Sequence, residues 1–374
     1  MRPFLFLFCL IINTVIYCQD SNNKLSLLFI GDVMQHKDQI TSAFDVNSGK
    51  YHYNTFDHIS DLMSEADVTI ANLELTLGGQ PYTGYPQFSA PDEIAVALKE
   101  SGVDILVTAN NHSADKRRKG IERTIHVLDS LEISHTGTFS SIKEKMETFP
   151  MIIEKNSFRI GLLNYTYSTN GITVPEGNIV NLINEEDIIA DIKLTISYLV
   201  DKIVVFVHWG LEYEQNPSAD QINIARLCFD TGADFVIGSH PHVLQRMENT
   251  YNRELNKDNV VVYSLGNFVS HQRTTNRDGG AMLRIDLAKN DSSSWVASAG
   301  YYLTWVYNPE NADGTKGFYV LPASKFQQQS SFLDETAASK MNLFINNSRK
   351  LLKSENVNVY EYKYDFDLKT WRFE

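Results

Sequence analysis

The sequence predicts an α/β fold with largely parallel strands. Short apolar runs alternate with amphipathic stretches from Leu25 to about Leu287, and run after run ends in an acid, an amide or a histidine. The strand runs are LSLLFI (25–30), DVTIA (67–71), VDILVT (103–108), FRIGLLN (158–164), KIVVFV (202–207), DFVI (234–237) and NVVVYS (259–264). Helix patterns lie between them at 92–102, 119–131 and 185–200. A further helix, NPSADQINIARLCFDTG, takes Asn216 as N-cap, Pro217 as its first residue and Gly232 as its stop. Residues 279–308 read as a hairpin turning at Asn290–Ser294. A helix at 334–353 then precedes a Tyr-rich end, read as an accessory strand or edge.

The 374 residues suffice for one large domain, alone or with an appendage, and 43% hydrophobic content supplies its core. A net charge of −13 argues against a nucleic-acid partner, which calls for a basic face. An anionic ligand stays open, because a bound divalent metal reverses the local field. The start, MRPFLFLFCLIINTVIYCQD, has one charge at Arg2 and an apolar stretch from Pro3 to Ile12, too short to span a membrane comfortably. Residues 1–19 therefore read as a signal peptide and the protein as exported. Either it is cleaved near Cys18 or Gln19, or Cys18 carries a lipid anchor. With Cys9 and Cys18 in or beside that leader, Cys228 is alone, and its spacing from Ile222, Ala225 and Phe229 makes it a core residue.

The strand ends carry the chemistry. Asp32 follows the first run, Asn72 and Glu74 the second, and Asn110, Asn111 and His112 the third. His208, Glu212 and Glu214 follow 202–207, and His240 and His242 follow 234–237. Ligands of open α/β sheets bind at the carboxyl ends of strands, so a parallel sheet brings these groups to one edge. Carboxylate, amide and imidazole without thiolate suit Mn, Fe, Zn or Mg. More than four such ligands suggest two divalent metal ions, an arrangement suited to phosphoryl transfer, with Glu74 the candidate bridge. His240-Pro241-His242 is either a pair of exposed loop histidines or a pair of ligands for different metals. An extended His-Pro-His throws its rings to opposite sides unless the loop is twisted, and Gly238 is read as easing a turn before it.

The motifs FIGDVM, ANLELTL, TANNHSAD, NYTYSTNG, VHWGLEYEQNPSADQ, GADFVIGSHPHVLQ and VVYSLGNFVSHQ occur in the order of the bacterial capsule-synthesis CapA (poly-γ-glutamate) family, and the chain resembles it over about 25–290. That family looks like a branch of the calcineurin-like metallophosphoesterases. The resemblance implies a four-layer α/β/β/α sandwich, with a CapA-type domain at 20–308 and a C-terminal extension at 309–374. It places Asp32, Glu74 and His242 on one metal, and Glu74, Asn111, His208 and His240 on the other. It makes His112 a general acid or transition-state stabiliser, against a plain role in steadying its loop. Glu212, Tyr213 and Asn267 are candidates to bind substrate, with Trp209 and Tyr165 lining the site; Asn267 either contacts a ligand or stabilises its turn.

The partners implied are an anionic surface polymer or phosphoester substrate and membrane proteins of capsule assembly. The pattern departs from metallophosphoesterases at Asp32-Val33-Met34, where a thioether stands in place of an imidazole. His36 either fills that role or is an ordinary surface histidine. Arg117 replaces a glycine common in the family, and the run Lys116–Lys119 is either a solvated helix start or a contact for an anionic polymer. Two readings follow: a phosphoesterase-like enzyme of exopolymer biosynthesis, or a polymer-binding or complex-forming subunit that keeps the metal-bound fold.

Overall fold

The computed structural model describes residues 23–311, 314–328 and 332–373. The signal-peptide and Cys18 readings lie outside the described residues. Parallel strands β1 (Lys24–Val33), β2 (Val68–Leu73), β3 (Ile105–Val107) and β4 (Ser134–Thr136) form one side of a ten-stranded sheet. A six-stranded sheet follows, from β5 (Met151–Lys155), β6 (Phe158–Thr166), β7 (Lys202–His208), β8 (Phe235–Ser239), β9 (Met247–Asn252) and β10 (Lys257–Val262). In it β6, β7, β8 and β10 are parallel, and β5 and β9 are antiparallel edges.

The chain then returns to the first sheet. β11 (Asn267–Val269) runs parallel to β1, and β12 (Gly279–Lys289) pairs antiparallel with β1 and with β13 (Ser294–Tyr307). Strands β14 (Tyr319–Pro322), β15 (Tyr360–Asp365) and β16 (Thr370–Phe373) extend the sheet past β13.

Side-chain alternation along the strands builds the layers. Leu25, Leu27 and Phe29 of β1 share a central core with Leu162, Phe206 and Ile237 of the second sheet. Leu28 and Ile30 point the other way, into a core with Leu62 of α1 (Ser60–Glu65), Leu98 of α2 (Glu93–Glu100) and Leu128 of α3 (Arg117–Ser130). Leu163, Val205 and Val236 face Ile188 and Ile192 of α4 (Glu185–Ser197) and Cys228 of α5 (Ala219–Thr231). The result is helix, sheet, sheet, helix: the four-layer α/β/β/α sandwich. Met341, Phe344 and Ile345 of α6 (Glu335–Glu355) join the central core beside Leu303 and Trp305 of β13.

Two local expectations change. The N-cap of α5 is Ser218, two residues past Asn216: its Oγ accepts the Gln221 N–H at 3.2 Å while Gln221 Oε1 accepts the Ser218 N–H at 2.9 Å. This reciprocal pair satisfies two orphan donors at once, which Asn216 does not. Gly238 sits inside β8, and a Cβ there would fall 2.1 Å from the Tyr263 carbonyl oxygen, so it permits a close backbone approach where a turn was expected.

Candidate metal centre

Both sheets present the carboxyl ends of their parallel strands to the same place. Asp32 lies at the end of β1, Glu74 just past β2, and Asn111 and His112 in the loop after β3. From the other sheet come His208, the last residue of β7, and His240 and His242 just beyond β8. All are buried. His208 Nε2 is 3.0 Å from Asn111 Oδ1 and 3.6 Å from Glu74 Oε1. His242 Nδ1 is 3.3 Å from Asp32 Oδ2, and its Nε2 is 3.9 Å from Glu74 Oε1. The His240 backbone N–H donates to Asp32 Oδ2 at 3.3 Å.

Two triads offer ligand atoms within 4.8 Å of one another: Glu74, His240 and His242, and Asp32, Glu74 and His208. Glu74 belongs to both. The triads set His240 and His242 together, whereas the resemblance divides them between two metals. The His242–Asp32 and His208–Asn111 contacts follow the implied division.

The donor set suits a cation. Both Glu74 carboxylate oxygens and His240 Nδ1 are buried without a hydrogen-bond partner. A buried acid in that state is costly unless a positive charge compensates it. Burial, with Asp32 adding repulsion, pushes the Glu74 carboxyl well above its usual range. Burial also drives His208 well below its ordinary value and His240 down to about 3, each helped by neighbouring histidines. Neutral imidazole is the ligating form.

The loop after β8 answers the His-Pro-His geometry. His240 and His242 adopt φ of 100° and 58°, left-handed values that cost a non-glycine residue about 1–3 kcal/mol each. The twist brings their ring centroids within 5.8 Å of each other, with His208 4.7 Å from His240. They are therefore not exposed loop histidines.

His112 is held by Asp115, whose Oδ2 lies 2.8 Å from Nδ1 and also accepts the Phe88 N–H at 2.6 Å. Asp115 was visible in TANNHSAD only as an acid three residues after the histidine. Asn72, just before the end of β2, donates to Asp32 Oδ1 at 2.8 Å. Tyr167, directly after β6, was missed: its ring centroid lies 4.6 Å from that of His240. Its signal was again an apolar strand ending in a functional side chain.

The other candidates lie beside the centre or away from it. Asn267 is fully buried, its Oδ1 3.0 Å from His242 Nδ1 and its Nδ2 donating to the Arg277 carbonyl at 2.8 Å. From there it orients an imidazole. Glu212 is exposed, and Tyr213 is partly exposed, 6.0 Å from the His242 ring with the Arg277 guanidinium 3.3 Å from its own. Tyr165 is buried in the outer core of the second sheet with its hydroxyl on Asp191, and Trp209 is buried with its indole N–H on the Tyr263 carbonyl; neither lines the centre.

Met34 packs in the core outside the first sheet. His36 is neither a surface residue nor a member of either triad: half-buried, its Nδ1 accepts the His271 N–H at 3.2 Å. Arg117 to Lys119 are exposed at the start of α3.

The "Capsule biosynthesis protein CapA" of Bacillus anthracis is 28% identical over 285 residues, covering 73% of this chain and 66% of its own length. The "PGA biosynthesis protein CapA" of Bacillus subtilis (strain 168) is 28% identical over 284 residues, covering 72% of this chain and 70% of its own. The chain thus spans about two thirds of these relatives. Among solved structures, the NAD nucleotidase of Haemophilus influenzae overlaps 91% of this chain and 64% of its own, at 12% identity and a TM-score of 0.48. That overlap is loose, and the architecture rests on the sheets and cores described above. Residues 26–272, which hold all six metal-ligand candidates, match the family "Bacterial capsule synthesis protein PGA_cap", and the chain belongs to that family.

Proposed function

We propose that the protein is an exported, metal-dependent phosphoesterase-like hydrolase acting in the biosynthesis of capsule, poly-γ-glutamate or a related exopolymer. The observation that carries the reading is Glu74, a fully buried carboxylate with two unpartnered oxygens, shared by two triads of ligand atoms. Asp32, Glu74, Asn111, His208, His240 and His242 would hold two divalent ions such as Mn, Fe, Zn or Mg. Bound there, the ions would supply an activated water and withdraw charge from a phosphoryl oxygen.

The chain's own residues supply the rest. Asp115 holds His112 through Nδ1, leaving Nε2 to carry a proton. As water adds its oxygen to phosphorus and the ester P–O bond breaks, the leaving oxygen takes that proton. Tyr167 covers the His240 ring and limits water on that side. Glu212 and Tyr213 stand at the rim, where a substrate chain enters. Export is supported by the apolar leader and by relatives named as capsule proteins. Anionic surface polymer and capsule-assembly membrane proteins are the proposed partners.

Met34 supports a second reading, a polymer-binding or complex-forming subunit: its side chain lies in the core and adds no ligand. Metal analysis of purified protein alongside a phosphomonoester and phosphodiester screen separates the two. Bound metal with turnover that falls in His240→Ala supports the hydrolase. Bound metal with no turnover on any ester supports the subunit, and no metal after loading and mild desalting rejects both as stated.

A further inference from the structure

A second charged cavity lies away from the two triads. It has a volume of about 240 Å³, and its wall includes Arg273, Lys316, Lys340, His271, Trp305 and Asp334. Arg273 is its anchor. The guanidinium carbon sits 5.4 Å from the centroid of the Trp305 ring, Nη2 donates to the Val306 carbonyl at 2.7 Å, and Nη1 is buried without a partner. Among the described residues no carboxylate forms a salt bridge with Arg273, Lys316 or Lys340. Buried charges are normally paired, so a guanidinium held this way is an unfinished contact.

The acids nearby are engaged in part, Asp278 keeping its Oδ1 buried without a hydrogen-bond partner. Asp334 caps α6 by accepting the Ala337 N–H at 2.8 Å, Asp278 accepts the Trp305 indole N–H at 2.8 Å, and Asp38 pairs with His271 at 3.1 Å. Of these, Asp278 acts electrostatically on Arg273 and Lys340 without forming a salt bridge to either. The start of α6, with Asp334, Thr336 and Ala337, also faces the cavity. In a chain with a net charge of −13, this concentration of cations is local and opposed to the whole.

We infer that this cavity is an anion-binding site that takes a carboxylate or phosphate group of a ligand. Arg273 supplies a fixed planar donor against Trp305, and Lys316 and Lys340 close over the anion from exposed positions. The site adjoins the proposed catalytic loop through ring contacts: His271 to His36 at 6.4 Å, His36 to Phe88 at 5.4 Å, and Phe88 to His112 at 4.6 Å. A chain bearing repeated acidic groups can therefore be held here while another part of it lies at the metal centre. Only that last step rests on the polymer reading; the anion site stands without it.

The test uses the full chain stripped of metal, so that the two triads cannot bind anions through an ion. Calorimetric titration at low ionic strength is run with inorganic phosphate in one arm and a short glutamate oligomer in the other. One saturable site is expected in at least one arm, and the tighter arm identifies the oxyanion. The Lys316→Glu/Lys340→Glu double variant, altered only at exposed positions, should keep its melting temperature and bind about tenfold or more weakly. No saturable binding in wild type, or an unchanged affinity in the double variant, overturns the proposal. Because no turnover is measured, a protein inactive on every phosphoester but binding the anion keeps this site and loses only the hydrolase reading.

Discussion

The two sheets contribute unlike halves to the centre. The first supplies oxygen ligands, Asp32, Glu74 and Asn111; the second supplies nitrogen ligands, His208, His240 and His242. Burial acts on both halves in the same sense, towards the uncharged form: it raises the Glu74 carboxyl and lowers His208 and His240. The halves respond differently to a cation. His208 and His240 are already in their ligating state, whereas Glu74 must lose its proton to serve. Glu74 therefore carries the electrostatic tension, and His208 and His240 are preset.

Exchanging Glu74 is expected to break that contrast most sharply. Glu74→Gln should abolish metal retention yet raise the melting temperature of the metal-free protein, by roughly 1–3 kcal/mol of stability. Elemental analysis and melting on one preparation check both, and a metal-free variant less stable than wild type would contradict the account of tension. Next comes His112→Ala, which leaves the ligands intact and should lower any phosphoesterase turnover by about 10² while metal content and melting hold. Unchanged turnover would remove His112 from the chemistry.

A smaller effect is expected at His36, the imidazole on the oxygen half that joins neither triad. Burial lowers its pKa from 6.5 to about 4, so between those values the unfolded chain binds the extra proton and the folded one does not. Its contribution is full above pH 6.5 and is lost as pH falls towards 4, about 2 kcal/mol by pH 5. His36→Gln should flatten the acid limb of the metal-free stability profile; an identical profile would reject this. Smallest is Asn267→Ala, which frees the His242 ring and should weaken metal binding by about tenfold, read by competition with a chelator.

Much of this was legible in sequence, for a physical reason. Runs such as LSLLFI and KIVVFV are apolar on both faces because sheet lies on one side and helix on the other, and such doubly buried strands stand out. The ligands were legible because each follows its strand directly. Most of what escaped depends on contacts between distant segments. Asn267 reaches His242 across 25 residues, and nothing near either one marks the pairing. Asp115 acts through a catalytic side chain, so its type carries no signature of its own, and Tyr167 acts through a ligand and was marked only by its place directly after a strand. The N-cap fell on Ser218 because a reciprocal bond with Gln221 outweighs a single favourable cap at Asn216.

The division of ligands between sheets bears on how the molecule comes together. The His240 backbone meets Asp32 across 208 residues of chain, and no triad is complete until both sheets have docked face to face. A bound ion would then act as a rivet between two separately woven panels, closing a loop that chain entropy otherwise keeps open. Loading should slow the parting of the sheets, and a chelator added during thermal unfolding should quicken it. The pocket read first as a place for chemistry would also be a joint that holds the two panels together.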